Sequence, residues 1–246
     1  MSELDKTVVK PYQEQGSKKE QVTSMFDNIA SKYDLLNTVL TLGIDRTWRR
    51  KAISKLDSSV HKKVLDVATG TADVAIELNK QLRPEQIIGV DISSEMINFG
   101  NKKVAKHQLQ EVIKLEVGDS ENLTYETGQF DAVTAVFGVR NFENLEKGLA
   151  EMFRVLRKDG KTVILEFSRP RIFPFKQLYN LYFKHILPFI GKKTSKDPKA
   201  YQYLYESVQA FPDYDRFGSI LEKVGFRSVE WKSLSLGICT IYTGIK

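Results

Sequence analysis

The sequence predicts an α/β fold in which helices cover both faces of a seven-stranded, mostly parallel sheet. Between residues 63 and 167, five short and nearly continuous apolar runs alternate with helical stretches, which is typical of parallel strands buried on both faces. A helix and two more strands follow, at about 227–233 and 238–245, and the gap between these strands is long enough only for a tight reversal. The last strand must therefore run antiparallel to the strand before it.

The 246 residues predict one folded domain with elaborations, since 41% of them are hydrophobic and 28% are charged. Residues 1–21 are rich in lysine, glutamate, glutamine and serine, which predicts a flexible N-terminal tail. From Phe26 onward apolar residues recur at helical spacing, so we expect N-terminal helices over 22–58. The domain is expected to cover 22–246, with an irregular insertion at 169–212 that holds five of the seven prolines.

The five parallel strands and the helices between them can be placed one by one. Each strand is a run of β-branched or large apolar residues that ends at small or polar residues. Each helix has apolar residues three and four positions apart, most clearly between Leu145 and Leu156. The strands are predicted at 64–68, 87–91, 112–117, 130–137 and 161–167.

The composition excludes several classes of protein. Cys239 is the only cysteine, which excludes an internal disulfide framework and a cysteine-rich zinc site, and the three histidines are scattered, so no metal site is predicted. Residues 1–22 contain no apolar stretch of the kind found in secretory signals, and no run approaches the length of a membrane span. We therefore expect a cytoplasmic protein without a membrane-spanning helix.

The excess positive charge is confined to one segment. The chain has 37 basic and 31 acidic residues, a net charge of +6, and the segment 169–199 alone carries eight basic residues and one acid. Aromatic residues such as Phe173, Tyr182 and Phe189 are interleaved with these charges. The segment is interpreted as a helical cap packed on the sheet, as a surface that binds an anionic membrane, or as both on different faces.

Small and polar residues follow four of the predicted strands, at the edge of the sheet where ligands bind in this class of fold. A turn around Gly70 and Thr71 lets a ligand approach the backbone. Asp91 ends the second strand, where a carboxylate can accept both hydroxyls of a ribose, and Asp119-Ser120 ends the third, where an acid can accept from an adenine amino group. Arg140-Asn141 follows the fourth strand and faces the same cleft. Together these residues predict an adenosine-containing cofactor.

Two cofactors of this kind compete. A nicotinamide dinucleotide requires a turn with three glycines for its pyrophosphate, and two of the expected glycines are absent from Ala68-Thr69-Gly70-Thr71-Ala72. S-adenosyl-L-methionine has no phosphate and carries a sulfonium and an amino group, which favour a nearby acid such as Asp66. The antiparallel last strand also fits a methyltransferase sheet rather than a dinucleotide fold. S-adenosyl-L-methionine is therefore the predicted cofactor.

Four sequence elements are specific enough to suggest a family. Tyr33-Asp34-Leu35-Leu36-Asn37, followed by Trp48, is similar to an N-terminal YDxMN signature followed by a tryptophan. The run from Asp66 to Asp73 resembles a DxAxGTGD loop, and Phe137-Gly138-Val139-Arg140-Asn141 matches an F-G-[ILV]-R-N element. The stretch that ends in Leu165-Glu166-Phe167-Ser168 resembles RVLKPGG followed by LEFS. Over residues 22–246 these elements resemble the ubiquinone/menaquinone biosynthesis C-methyltransferase family.

The resemblance implies a class I S-adenosylmethionine-dependent methyltransferase with a Rossmann-like fold. It implies that Thr71 binds the cofactor at the first turn, Asp91 its ribose, and Asp119 with Ser120 its adenine side. A serine that the family uses on the fourth strand is Val136 here, so that contact is not carried over. The implied reaction methylates a ring carbon of a prenylated hydroquinone, with demethylmenaquinol favoured over a prenylated methoxy-benzoquinol of ubiquinone biosynthesis.

Arg140 and Asn141 are the predicted catalytic residues. A ring carbon becomes nucleophilic when the neighbouring hydroxyl ionises, and a fixed cation lowers the pKa of such a phenol by about 1–3 units. Arginine stays protonated, so a water molecule or a carboxylate must take the proton. Asn141 is expected to orient the hydroxyl or that water. Tyr33 is interpreted either as a wall over the substrate or as part of the core.

The predicted partners are a prenylated quinol and the inner face of an anionic membrane. Peripheral binding through 169–199 is expected to depend on Lys192, Lys193 and Lys196. A homodimer is possible, and the sequence does not decide the oligomeric state. A nucleic-acid methyltransferase is disfavoured, because the [DN]PP[YF] sequence of amino-group methyltransferases is replaced by Arg140-Asn141-Phe142-Glu143. The cofactor residues also argue against a non-catalytic membrane adaptor.

Overall fold

The computed structural model describes residues 9–12, 15–58, 60, 62–181 and 199–246. A sheet of seven strands in the order β3-β2-β1-β4-β5-β7-β6 lies at its centre. Strand β7 is antiparallel to both of its neighbours, and all other pairs are parallel, which confirms the predicted fold class. The strands are β1 (Lys63–Val67), β2 (Gln86–Asp91), β3 (Ile113–Val117), β4 (Phe130–Val136), β5 (Leu156–Phe167), β6 (Arg227–Leu234) and β7 (Cys239–Ile245).

Three helices precede the sheet: α1 (Lys18–Ile29), α2 (Tyr33–Thr41) and α3 (Asp45–Ile53). Helix α1 begins four residues before the predicted boundary at residue 22. The cause is a capping box, in which the Glu20 backbone N–H donates to Ser17 Oγ and the Ser17 N–H donates to the Glu20 carboxylate. Apolar periodicity alone misses such a start, because the first turn of α1 is polar.

Helices α4 (Asp73–Leu82), α5 (Ser94–Lys106), α6 (Leu145–Val155) and α9 (Asp215–Val224) cover the two faces of the sheet. Adjacent residues of a strand point to opposite faces, so Val64 and Leu65 of β1 belong to two different cores. One core joins the sheet to α6 and α9 through Leu149 and Phe217. The other core joins it to the N-terminal helices and α4, and includes Trp48.

The insertion after β5 contributes α7 (Phe175–Leu181) and α8 (Lys199–Ala210) to a third, smaller cluster. There Tyr179 of α7 and Tyr201 of α8 pack with Leu36 of α2. Lys192, Lys193 and Lys196, which carry the predicted membrane contact, lie outside the described residues. Within the part of the chain that is described, none of the helices has the length and hydropathy needed to cross a membrane.

Strand β5 starts five residues earlier than predicted. Leu156 pairs with Phe130 before the register shifts and Lys161 pairs with Ala132. The polar run Arg157-Lys158-Asp159 lies in this irregular part of the strand, and Asp159 has a φ of 59°. A polar stretch with a left-handed residue has no strand signature, so the sequence pattern shows only the apolar second half.

Candidate active site

Two glycines allow the turns after β1 and β4 to meet at the carboxyl edge of the sheet. Gly70 has a φ of 55°, which favours glycine, and its N–H donates to Asp91 Oδ2 at 2.8 Å. A Cβ atom on Gly138 would lie 2.5 Å from the Cβ of Ala68, so only glycine lets the two turns approach this closely. The small residues noted in the sequence therefore place the strand ends side by side.

Asp91 lies at the end of β2, buried against the turn that follows β1. Its two carboxylate oxygens accept the N–H groups of Gly70 and Ser93, at 2.8 and 2.9 Å. Burial raises the pKa of Asp91 to about 6, so the group is mostly ionised at neutral pH. Each oxygen retains capacity for a further donor, which fits the predicted contact with two ribose hydroxyls.

Asp119 and Ser120, after β3, line the same cleft as Asp91 and Gly70. Asp119 Oδ1 accepts the N–H of Glu121 at 2.9 Å, and Oδ2 accepts from Lys19 Nζ at 2.7 Å. Burial opposes ionisation of Asp119, but the hydrogen bonds from Lys19 and from the Glu121 N–H, together with the charges of Lys19 and Lys147, outweigh it and lower the pKa of Asp119. Asp119 is thus an ionised acceptor at the position predicted for the adenine side.

Helix α1 covers this cofactor cleft. Lys19 of α1 contacts Asp119, and Asp27 of α1 accepts a 2.6 Å hydrogen bond from Ser93 Oγ, beside Asp91. The apolar side chains of Ile92 and Met96 complete the lining. Carboxylates for hydroxyl and amino groups, next to apolar surface for a base, match the chemistry of an adenosine-containing cofactor.

Asp66 is almost fully buried and is not among the residues that line the cleft. Its oxygens accept hydrogen bonds from Thr69 Oγ1 at 2.6 Å and from Thr134 Oγ1 at 2.7 Å, so it braces the turn after β1 from below. Burial raises the pKa of Asp66 to about 7, against the lowering effect of these hydrogen bonds. Its predicted contact with the cofactor stays a prediction.

Thr71 points into a polar network beneath the turn rather than into the cleft. Its hydroxyl donates to Asp34 Oδ1 at 2.6 Å and accepts from Lys103 Nζ at 3.0 Å. Lys103 and Arg49 both pair with Asp73, at 2.6 Å each. The side chain of Thr71 thus ties α2 to the cofactor turn, and its predicted cofactor contact stays a prediction.

Arg140 is held by an acid that the sequence analysis did not assign, Glu166 at the end of β5. Arg140 Nη1 donates to Glu166 Oε1 at 2.7 Å, and the Arg140 backbone N–H donates to Oε2 at 3.3 Å. Glu166 also accepts the N–H of Phe167 at 2.8 Å and has no exposed surface. The guanidinium lies 5.4 Å from the centre of the Phe167 ring. The orientation of the Arg140 guanidinium is therefore fixed on the side that contacts Glu166.

Arg140 and its neighbour Asn141 both line a large cavity and both carry a buried polar atom without a partner among the described residues. Among the described residues, Arg140 Nε, Asn141 Oδ1 and the Tyr203 hydroxyl are buried without a hydrogen-bond partner. Burial raises the pKa of Tyr203, against the opposing effect of Arg140. Buried polar atoms without partners are rare in native proteins, and here all three belong to residues that line the same cavity.

A large apolar cavity of about 750 Å³ lies between α1, α2, α3, α7 and α8. Its volume is in the range of cavities that bind small organic molecules. Arg140 and Asn141 are at its inner end, among aromatic walls that include Trp48 and Tyr179. Asp45 also lines the cavity, and its carboxylate is bound by Arg49.

The large cavity and the cofactor cleft share four residues: Phe26, Tyr33, Phe137 and Asn141. A group in one space and a group in the other are therefore separated only by these side chains. Tyr33 is one of them, and its phenol is hydrogen-bonded to Asn37, while burial raises its pKa. Of the two interpretations given for Tyr33, this position favours a wall over the substrate, which stays a prediction.

Sequence reasoning missed three residues of α1 and β5 that shape the site. Glu166 belongs to the Leu165-Glu166-Phe167-Ser168 element, and its position at the end of a predicted strand was the signal that could have identified it as a site residue. Lys18 Nζ donates to the carbonyls of Arg140 and Phe142, at 3.0 and 2.8 Å, and so holds the turn that contains Arg140 and Asn141. Burial lowers the pKa of Lys18 to about 8. Lys18 and Lys19 lay in the predicted tail, and the Ser17–Glu20 capping pattern was the signal there.

Known proteins resemble this chain in structure. A Thermotoga maritima protein, described as a SAM-dependent methyltransferase and possible histamine N-methyltransferase, superposes with a TM-score of 0.63 at 16% identity, covering 91% of this chain and 99% of its own. The [4+2]-cyclase SpnF superposes with a TM-score of 0.63 at 16% identity, covering 93% and 96%. At such identities the likeness shows the class I methyltransferase fold and no particular reaction.

Sequence relatives are much more similar. Demethylmenaquinone methyltransferases of Bacteroides fragilis and Porphyromonas gingivalis are 49% and 44% identical, each over 97% of this chain and at least 97% of their own. The ubiquinone/menaquinone biosynthesis C-methyltransferase UbiE of Geotalea daltonii is 45% identical over 93% of this chain and 97% of its own. The ubiE/COQ5 methyltransferase family matches residues 14–246. The chain belongs to the ubiE/COQ5 methyltransferase family.

Proposed function

We propose that this chain transfers a methyl group from S-adenosylmethionine to a ring carbon of demethylmenaquinol, a prenylated naphthohydroquinone. The observation that supports this best is the pair of adjoining spaces, a cleft with acids for adenosine and a large apolar cavity, which share Tyr33, Phe137 and Asn141. A polar ring at the inner end of the cavity would meet the cofactor there, while an apolar tail fills the rest.

Asp91, Asp119 and the turn at Gly70 would hold the cofactor in the cleft. When bound, S-adenosylmethionine supplies an electrophilic methyl group. Asp91 would accept the ribose hydroxyls, and Asp119 with Ser120 would contact the adenine side. Asp66 and Thr71 would act mainly on the shape of the turn, because their side chains bind Thr69, Thr134 and Asp34.

Arg140 would act on the acceptor through directed hydrogen bonds more than through net charge. A phenol with a pKa near 10 is about one part in a thousand ionised at pH 7. A free arginine would lower that pKa by about 1–3 units, but Glu166 neutralises much of the charge of Arg140. The Nε–H that has no partner among the described residues would stabilise the developing phenolate, and Glu166 fixes its direction.

Asn141 would orient the hydroxyl or a water molecule, because it lines both spaces and its Oδ1 atom is buried without a partner among the described residues. The ring carbon would form its bond to the methyl group as the bond between the cofactor's sulfur and that methyl group breaks, with the demethylated thioether as the leaving group. The ring carbon would then lose its own proton. Arg140 cannot accept that proton, so water or a carboxylate such as Asp45 in the cavity wall would take it.

A prenylated acceptor resides in a membrane, and we propose that the protein binds peripherally to the anionic cytoplasmic face of that membrane. The basic segment 169–199 is the feature that supports this. In its described part, Arg171 and Lys176 are exposed, and residues 169–181 contain no acid. A prenylated methoxy-benzoquinol is the second candidate acceptor, because relatives named for both quinone pathways are similar to this chain.

The acceptor is tested by incubating the purified protein with S-adenosylmethionine and an equal mixture of reduced naphthoquinol and benzoquinol of the same tail length. Mass spectrometry should show methylation of the naphthoquinol in excess. Asn141→Ala should slow the reaction, while Asn98→Ala, at an exposed asparagine of α5, should not. Methylation of neither quinol by a protein that binds S-adenosylmethionine would refute the proposal.

A further inference from the structure

The mouth of the large cavity is made of exposed apolar side chains. Leu42, Ile44, Phe175 and Leu236 line the cavity and are 92, 42, 40 and 51% exposed. The charged residues of the lining are more enclosed, since Asp45 and Arg49 are buried. A residue that lines a cavity and is also exposed lies at its opening. We refer to these four residues as the apolar rim.

The apolar rim continues into apolar surface on both sides. Leu35, Val39 and Leu42 follow the spacing of one face of α2, and all three are exposed. Ile172 and Phe173, just before α7, are exposed as well. Of the twelve large exposed hydrophobic residues in the described ranges, nine lie in 35–44, in 172–181 or at 236. Such clustering marks an interaction surface.

Two leucines of the apolar rim have a backbone conformation that disfavours leucine. Leu42 ends α2 with a φ of 51° and a ψ of 32°, and Leu236 has a φ of 59° and a ψ of 24°. Glycine or asparagine is common in this left-handed region. Neither the local backbone nor water therefore favours leucine at these positions, whereas contact with an apolar partner would.

The charges beside the apolar rim favour an anionic lipid surface as that partner. Arg46, two residues after Ile44, and Lys176, directly after Phe175, are exposed. Arg171 is also exposed and lies within 4 Å of Asp213 and Asp215, whereas no acid occurs in the sequence between Arg171 and Leu181. Apolar side chains bordered by basic ones are typical of surfaces that enter the interface of an anionic bilayer.

We propose that the apolar rim inserts into an anionic lipid bilayer, so that a lipid-tailed acceptor passes from the bilayer into the cavity without crossing water. The identity of the acceptor rests on the proposed function, whereas the insertion does not. The surface differs from the lysines of 192–196, because it binds through apolar contact around the opening. Such binding should persist in part at salt concentrations that screen the basic residues.

Insertion is tested with the double variant Leu42→Asn/Leu236→Asn. Asparagine suits the left-handed backbone, so the thermal midpoint should not fall. Co-sedimentation with phosphatidylglycerol-containing vesicles should weaken by about tenfold for each leucine. Val117→Asn removes an apolar side chain at the end of β3 that is about as exposed as Leu236, and it should leave vesicle binding unchanged. Unchanged binding of the double variant would overturn the proposal. So would a wild-type dimer that these substitutions dissociate and that ignores vesicles.

The access route is tested with Leu35→Gln/Val39→Gln, since neither residue lines the cavity. Turnover of a long-tailed quinol embedded in vesicles should fall about tenfold or more, and turnover of a short-tailed, water-soluble quinol should stay at the wild-type rate. An equal loss on both quinols, or no loss on either, would contradict the route. If the wild type methylates neither quinol, the proposed function fails, and vesicle sedimentation still decides the insertion.

Discussion

Replacing Glu166 by glutamine should destabilise the protein strongly, because Arg140 would lose its charged partner in a buried site. The Glu166 carboxylate accepts three N–H groups: Arg140 Nη1 at 2.7 Å, the Arg140 backbone N–H at 3.3 Å and the Phe167 N–H at 2.8 Å. Glutamine offers one oxygen and places an NH₂ donor where the second oxygen accepted. At least one buried donor is then left without an acceptor.

Removal of one partner of a buried ion pair costs about 3–5 kcal/mol, and hydrogen bonds to a charged group contribute about 1.5–3 kcal/mol each. We therefore expect the free energy of unfolding of Glu166→Gln to fall by about 3–5 kcal/mol, a large share of the roughly 5–15 kcal/mol typical of a folded domain. Urea unfolding followed by circular dichroism measures this difference.

The double variant Arg140→Met/Glu166→Met separates the charge from the packing. It removes both charges while keeping apolar volume, so it should lie within about 1–2 kcal/mol of the wild type and show a clear coupling energy. A loss below about 1 kcal/mol in Glu166→Gln, or additive losses in the double variant, would refute the view that Glu166 fixes Arg140.

Three further predictions concern the other buried charges. Asp91→Asn should weaken S-adenosylmethionine binding about tenfold or more in calorimetry, because two hydroxyl donors lose a charged acceptor; unchanged affinity in a folded variant would remove Asp91 from the site. The pKa of Lys18 is lowered from 10.5 to about 8, because the folded state favours the neutral amine. The wild type should therefore gain stability relative to Lys18→Met as the pH rises from 8 to 10.5. A difference in the free energy of unfolding between the two proteins that does not change with pH would contradict this. The pKa of Asp66 is raised from 3.8 to about 7, because the folded state favours the protonated acid. The wild type should therefore lose stability relative to Asp66→Asn as the pH rises from about 4 to 7. A gain in stability over this pH range, measured by the same urea unfolding, would contradict the prediction.

The sheet was predictable because its signals are local. The apolar runs at β1, β2 and β4 follow from strands buried on both faces, and the short gap before β7 requires a reversal. The start of β5 and the start of α1 were not predicted from periodicity. Polar residues occupy both, and an irregular pairing with Phe130 and a capping box at Ser17 create them.

The site was predictable only as far as strand ends are concerned. Asp91, Asp119 and Asn141 come together as expected, because parallel strands end at one edge of the sheet. The partner of Arg140 depends on how β4 and β5 pair, and the position of Lys19 depends on where α1 lies. Both are tertiary arrangements that separate elements determine jointly, so neither residue spacing nor composition predicts them.

Methyl transfer with isotopically labelled S-adenosylmethionine tests the central claim most directly. The purified protein, the labelled cofactor and reduced demethylmenaquinol are incubated with lipid vesicles, and the product is examined by nuclear magnetic resonance. The label should appear on a ring carbon of the quinol, in a product that Arg140→Ala forms much more slowly. Label on a quinol oxygen, or its absence from the quinol in the presence of a folded protein that binds the cofactor, would contradict the account.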